Sequence, residues 1–356
     1  MNILIVGAGA IGSLVGGKLA QSGESVILVG RPSLAQAVHS AGLRLEEDGQ
    51  IQRIDEVGVA VSIAEAYHLA MDLDIAYDLA VVTVKSYDTA GVVDELRAAL
   101  AESGMPPPVM LSLQNGVGNE ASMATLLGSE RVIAGSITAP VSVLSPGHIR
   151  VDKPGYGISL AAWDAAAPAA NLADVGAALA RSGFRLTMHD NAQSMKWTKL
   201  LMNMVGNALC AILDETPQQV YADARMLDLE IAAWREALAV MARSGVRPIN
   251  LGKYPLGILA PAIRWGPKGL LRMALRRIVG GARGGKMPSL HMDLSRNKPQ
   301  NEVAWLNGAV VRQGRAVGIP TPVNALLNDT LLTLVSNHEA WEGWRHNHER
   351  VWGLVG

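Results

Sequence analysis

Three polar residues at four-residue spacing stand out in an otherwise apolar stretch. Lys199, Asn203 and Asn207 lie in QSMKWTKLLMNMVGNALCAIL, which starts at Gln193. On one helix those positions share a face. Burying an ammonium and two amides among apolar neighbours is costly unless each finds a partner. Either the face is solvated and Lys199 is a surface lysine, or the three form a substrate-binding stripe facing a cofactor cleft. Lys196, three residues earlier, is a second candidate for the same chemistry. The chain start carries a different pattern, Gly7-Ala8-Gly9-Ala10-Ile11-Gly12, directly after the apolar run Asn2–Val6. In a strand–turn–helix context Gly7 permits a tight turn, Gly9 lets backbone approach a pyrophosphate, and Gly12 lets helix pack on strand. The helix N-terminus then offers free N–H groups and a positive dipole end to phosphates. A dinucleotide site follows, with a glycine-rich structural turn as the alternative. The second strand ends at Gly30-Arg31-Pro32, without the acidic residue that would accept a ribose 2′-OH. Arg31 offers a guanidinium to a 2′-phosphate, which favours NADP (NADPH) over NAD; an ordinary solvated arginine is the other reading.

These groups need a scaffold, and the sequence supplies two kinds. Apolar runs at Asn2–Val6, Ser25–Val29, Asp78–Val84, Val109–Leu113 and Val132–Thr138 alternate with helical patterns, including one near Thr89–Glu102. That alternation predicts an α/β, Rossmann-type doubly wound parallel sheet. Val141–Val151 and Tyr156–Ala162 read as a small antiparallel addition. A helix over Asn171–Ser182 and a strand near Phe184–Met188 follow. Beyond Asp190 the pattern is almost all helical, at Gln193–Leu213, Pro217–Ser244, Glu302–Val317 and Asn324–Val335, with Gly318, Pro320 and Pro322 as punctuation. The expected organisation is a dinucleotide-binding domain over residues 1–190 and an all-α substrate and catalytic domain over residues 191–356.

The whole chain bounds the function further. At 356 residues and 49% hydrophobic content it can bury two cores. No apolar run reaches the ~18 residues that span a bilayer, and the opening residues read as strand and turn instead of a signal peptide. Cys210 is the sole cysteine and is expected to be a small core residue. These features point to the cytoplasm, and a net charge of −1 argues against nucleic acid as the main partner. The order of residues suggests neither a covalent triad nor a P-loop. His338, His346 and His348 fit no common zinc spacing, so the Trp-rich C-terminus (Trp341, Trp344, Trp352) reads as a packing or subunit surface, which leaves a homodimer open.

GAGAIG, Val84-Lys85, Gln114-Asn115-Gly116, the Lys199/Asn203/Asn207 series, Ser289-x3-Asp293 and Glu302-x4-Asn307 occur in an order and approximate spacing that resemble the ketopantoate reductase family along nearly the whole chain. The resemblance implies a Rossmann domain followed by a helical domain, and NADPH-dependent reduction of 2-dehydropantoate to pantoate, a step toward pantothenate. It implies that Lys199 is the general acid and that Glu302 holds the ammonium or a substrate hydroxyl. Asn203 and Asn207 would bind substrate oxygens and Ser289 the carboxylate. Asn115 would sit between nicotinamide and substrate, with Lys85 near the cofactor. Lys85 could equally be a helix-start surface lysine, and Ser289 a helix N-cap. The small-molecule partner is thus a 2-oxo acid; a non-catalytic NADP-binding sensor is the competing class, and the presence of Lys199 and Glu302 favours the enzyme.

Two departures from the family pattern matter, and the second concerns the substrate. The stretch between Asp293 and Glu302 is one residue longer, and Asn301 stands where a threonine is usual. A long segment, Val246–Pro288, holds nine Lys and Arg residues and no acid. Leu270, Leu271, Ala274, Leu275 and Ile278 fall on one helical face, with Lys268, Arg272 and Arg276 on another. Three readings are open: a helix docked by its apolar face with the basic face solvated, a lid or pocket wall selecting a larger or more anionic acid, and attachment to an anionic membrane or acidic partner. Under the second, ketopantoate is a poor substrate, and neutralising Arg272, Arg276 and Arg277 raises KM for the preferred acid.

Overall fold

Strand β1 (Asn2–Val6) is apolar at every position after its first because both of its faces are covered. Ile3 and Ile5 join one core cluster, and Leu4 and Val6 the other. The remaining elements of the first half follow in the order α1 (Ala10–Gln21), β2 (Ser25–Val29), α2 (Pro32–Ala41), β3 (Leu43–Glu47), β4 (Gln50–Ile54), β5 (Val57–Ala60), α3 (Ile63–Asp72) and β6 (Leu79–Val82). Next come α4 (Thr89–Ser103), β7 (Val109–Ser112), α5 (Asn119–Leu127), β8 (Val132–Thr138), β9 (Val141–Ser145), β10 (His148–Val151), β11 (Gly157–Ala162), α6 (Ala169–Arg181) and β12 (Arg185–Met188). The computed structural model describes residues 1–164, 169–282, 285 and 287–354.

Eight strands form one sheet in the order β12-β11-β8-β7-β6-β1-β2-β5. The pairs from β8 to β5 are parallel, as a doubly wound sheet requires, whereas β11 runs antiparallel to β8 and carries β12 parallel to itself. The run expected to sit in a small antiparallel addition, Tyr156–Ala162, therefore extends the main sheet. Its residues Ile158 to Ala161 are buried, and only the central sheet offers an apolar strand two covered faces. The addition is real but differently composed. It is a four-stranded sheet, β4-β3-β10-β9, whose hairpin β3–β4 pairs through β3 parallel to β10.

The helical half comprises α7 (Ala192–Met204), α8 (Ala208–Leu213), α9 (Pro217–Val220), α10 (Ala224–Arg243), α11 (Leu256–Trp265), α12 (Lys268–Ala282), α13 (Ser289–Ser295), α14 (Asn307–Val317), α15 (Pro322–Ser336) and α16 (His348–Trp352). Two compact units result, one of residues 1–114 and 118–196, the other of residues 115–117 and 197–356. The division falls inside α7. In the second unit the long α10 packs against α11, α12, α14 and α15. Its Glu236 carboxylate accepts from the Val323 and Asn324 backbone N–H groups at 2.9 Å and from Asn324 Nδ2 at 2.7 Å, so it anchors the positive end of α15. Burial pushes that carboxyl above its usual range, and the bonds from Asn324 and Val323 oppose the shift.

Three stretches expected as single helices are interrupted. The Gln193–Leu213 stretch breaks into α7 and α8 at Gly206, whose φ of +56° is a left-handed conformation that glycine adopts without strain. Pro217–Ser244 breaks between α9 and α10, where Asp223 caps α10 by accepting from Arg225 N at 2.8 Å. Glu302–Trp305 is a 3-10 turn that precedes α14.

Candidate active site

In the first unit the ends of β1, β2 and β6 close around the glycine turn. Gly7 and Ala8 N–H groups donate to the Val29 carbonyl at 3.1 and 2.9 Å, and Thr83 Oγ1 donates to the Gly7 carbonyl at 2.7 Å. Gly7 has φ +100°, and a Cβ there would lie 2.6 Å from Val84 Cγ1. At Gly12 a Cβ would lie 2.4 Å from the Gly7 carbonyl oxygen and 2.6 Å from Thr83 Oγ1. Both positions exclude any side chain. Around Gly9 the space is open. As the cap residue of α1, Gly9 has no side chain to occupy the first N–H groups, and the first turn carries no acid. Those donors point at whatever anion approaches. The turn thus fits a dinucleotide pyrophosphate. Arg31, exposed, follows β2 at the cap position of α2, with Pro32 as its first residue. Lys85 is half-buried, two residues beyond Thr83, at the cap position of a 3-10 turn.

Lys196 occupies a place that its sequence neighbourhood conceals. It is 2% exposed, its Nζ lies 2.8 Å from Oε1 of Glu120, which is wholly buried, and it donates to the carbonyls of Gln114 at 2.7 Å and Gly135 at 3.2 Å. A committed ammonium of this kind is not available as a second proton donor, which corrects that expectation. Nearby, Gln114 Nε2 donates to the Val84 carbonyl and to Thr89 Oγ1, and Asn119 joins Thr89 and Ser86. Glu120 and Asn119 escaped the sequence reading. The one available signal was the polar run Gln114-Asn115-Gly116-Val117-Gly118-Asn119-Glu120 directly after a buried strand.

The second unit contains a cavity of about 200 Å3 lined by Asn115, Asn203, Asn207, Pro217, Met287, Pro288, Ser289, Glu302 and Leu306. Five of the expected substrate-side residues therefore meet in one place: Asn115, Asn203, Asn207, Ser289 and Glu302. Asn203 Nδ2 donates to Asn115 Oδ1 at 3.0 Å. Asn207 follows the break, at the cap position of α8. Its Nδ2 donates to the Asn203 carbonyl at 2.9 Å and its Oδ1 accepts from Leu290 N at 3.2 Å, so it also ties down the start of α13. Glu302 is 4% exposed. Lys199 is half-buried on α7, one turn before Asn203 and on the same face. Ser289 is the first residue of α13, with Pro288 in the cap position, so the N-cap reading of Ser289 does not hold. Asn301, the residue standing where threonine is usual, performs a cap's work: its Oδ1 accepts from Val303 N and its Nδ2 holds the Leu290 carbonyl.

The docked-helix expectation holds only in part. Arg272 pairs with Asp228 of α10 at 2.5 and 2.8 Å, and Arg276 donates to the carbonyls of Tyr221 and Ala222. Arg272 and Arg276 help hold α12 in place, and of its expected apolar face Leu275 is buried and Leu271 half-buried, whereas Leu270 and Ala274, with Met273, face solvent. Two guanidiniums find a carboxylate and the carbonyls that follow α9, which have no partner within that short helix. These arginines do not line the cavity; the segment contributes Met287 and Pro288 there. Arg283, Lys286 and the side chain of Ile278 lie outside the described residues. At the C-terminus Trp341 is buried, donating to the Ala211 and Ile212 carbonyls. His348 bridges Glu215 and Asp223, and His338 reaches the Leu294 carbonyl. Asp223 is held down to about 2, chiefly by Arg225.

Two family models match: ketopantoate reductase PanE/ApbA over residues 3–164 and its C-terminal counterpart over residues 191–335. The 2-dehydropantoate 2-reductase of Pyrococcus horikoshii is 27% identical over 92% of this chain and 95% of its own length. That of Archaeoglobus fulgidus is 29% identical over 95% and 98%. Among solved structures, a PanE/ApbA family ketopantoate reductase from Ralstonia eutropha superposes with a TM-score of 0.77 at 29% identity, covering 95% of this chain and all of that one. D-mandelate dehydrogenase, solved with NADH and anilino(oxo)acetate, shares the fold at a TM-score of 0.75 and 21% identity over 95% and 99% of the two chains. The matches define an oxidoreductase acting on a CH–OH group. The chain belongs to the ketopantoate reductase family. No helix among the described residues is long and apolar enough to cross a membrane.

Proposed function

We propose that the chain is an NADPH-dependent reductase of a 2-oxo acid, with 2-dehydropantoate as the reference substrate. The observation that carries the reading is the cavity that gathers Asn115, Asn203, Asn207, Ser289 and Glu302, with Lys199 one turn along α7. A bound reduced nicotinamide supplies hydride to the substrate carbonyl carbon. Lys199 delivers the proton to the carbonyl oxygen, because a developing alkoxide needs charge stabilisation and a proton in the same step. Glu302 holds that ammonium or a substrate hydroxyl. Asn203 and the second N–H of Asn207 donate to substrate oxygens, and Ser289, at the first turn of α13, receives the carboxylate. Asn115 orients substrate and nicotinamide, and Gly7 to Gly12 cradle the pyrophosphate. Lys85 serves the cofactor from beside the glycine turn.

The family membership and the relatives named 2-dehydropantoate 2-reductase support this reading. It is tested by following NADPH oxidation with 2-dehydropantoate in the purified protein and in Glu302→Gln, whose turnover should fall sharply while NADPH binding persists.

Specificity for NADPH rests on Arg31. NADPH should bind at least ~10-fold more tightly than NADH, because a charge-assisted bond to the 2′-phosphate contributes roughly 1.5–3 kcal/mol. Titration of Arg31→Ala should narrow the gap by weakening NADPH alone. Equal affinities in the wild type would remove Arg31 from the site.

The substrate end carries a second expectation. Met287, at the close of the basic segment, forms an apolar part of the cavity wall. Met287→Ala should raise kcat/KM for 2-oxo acids bulkier than ketopantoate by roughly 10-fold, the scale of one to two methylenes of fit. An unchanged ranking across a size series of acids would show that Met287 does not set the limit.

A further inference from the structure

Helices α11 and α12 turn large apolar side chains to solvent. Ile258 is 70% exposed, Trp265 76%, Leu270 59% and Met273 64%. The exposure is patterned. On α11, Ile258, Ala262 and Trp265 are exposed at i, i+4 and i+7, and on α12, Leu270, Met273 and Ala274 at i, i+3 and i+4. Each set makes one stripe along its helix. Both helices pack on α10; their buried positions are Leu256, Ala260 and Ile263 on α11 and Leu275 on α12, and Arg272 pairs with Asp228 of α10. The stripes therefore point away from the core of the unit.

Cations border them. Lys253, just ahead of α11, and Arg277, four residues past Met273 on the same face of α12, are exposed, and the Arg264 guanidinium lies over the Trp265 ring at 4.8 Å. No acid occurs anywhere from Val246 to Pro288. We propose that α11 and α12 dock this enzyme on an anionic phospholipid surface. The apolar stripes enter the headgroup–acyl boundary while the cations meet lipid phosphates. Trp265 suits that boundary, with an apolar ring and a polar N–H. The helices are too short to span a bilayer, at 10 and 15 residues, and their arginine-anchored inner face holds them on the protein, so docking is peripheral. A second copy is the poorer occupant, because a twofold contact would set the same acid-free, cationic surface against itself.

The experiment is cosedimentation of the full chain with vesicles of phosphatidylcholine alone or mixed equally with phosphatidylglycerol, at low and high salt. At least 10-fold more protein should bind the anionic vesicles, with the excess lost at high salt. Lys253→Gln with Arg277→Gln should cut binding roughly 10-fold or more, at about 5-fold per cation. Trp265→Ser with Leu270→Ser and Met273→Ser should cut it at least as far, with thermal unfolding of both variants unchanged because these side chains are already solvated. Equal binding to neutral vesicles, or none to either, overturns the proposal. So does a wild-type dimer in sedimentation velocity that the triple variant abolishes, which would give the surface to a second copy. Binding to immobilised poly-glutamate without binding to vesicles also overturns it, in favour of an acidic protein.

Discussion

Lys199→Ala should lower kcat by about 10²-fold or more while leaving NADPH affinity nearly unchanged. The magnitude is the usual scale for losing a positioned general acid. The selectivity follows from location: Lys199 shares the α7 face of Asn203, which lines the cavity of the helical unit, whereas the glycine turn and Arg31 belong to the other unit. Steady-state kinetics together with an NADPH titration separate the two effects. A variant that keeps near-normal turnover would make Lys199 structural and remove the proposed proton donor.

The other large effect should appear three residues earlier, in stability. Lys196→Met leaves Glu120 buried with its counter-charge gone and frees the Gln114 and Gly135 carbonyls from their shared donor. Breaking a buried pair on one side costs roughly 3–5 kcal/mol, because the remaining charge is uncompensated. The double variant Lys196→Met with Glu120→Leu should recover most of that loss, since no lone charge remains. Chemical denaturation reads both. If Lys196→Met unfolds at the wild-type midpoint while kcat collapses, the two lysines have been given each other's roles.

The contrast between these lysines shows what sequence reading could reach. Lys199, Asn203 and Asn207 were visible because polar groups on an apolar helical face are conspicuous. Nothing in local spacing distinguished Lys196, because its partner, Glu120, sits 76 positions away and only the fold brings them together. The parallel sheet was legible for a simple reason: strands covered on both faces read as apolar runs, as β6 does throughout and β1 does after its first residue. Strand β4 did not, since four of its five residues are exposed and it lies at the edge of the small sheet. The break at Gly206 was hidden by continuous helical periodicity on both sides of it. Helix α12 misled in a more instructive way. Its expected apolar face is split, with Leu275 buried and Leu270 and Ala274 exposed, because amphipathicity gives no sign of the rotation a helix takes when arginines find Asp228 and backbone carbonyls.

NADPH oxidation across a panel of 2-oxo acids of graded size and charge, ketopantoate included, by the wild type and by Lys199→Ala is the most direct test of the proposed chemistry. Acid-dependent oxidation by the wild type, with stoichiometric 2-hydroxy acid formed and turnover reduced at least ~10²-fold in the variant, is the predicted result. Tight NADPH binding with no acid-dependent oxidation anywhere on the panel would contradict the account and leave a dinucleotide-binding protein without this chemistry.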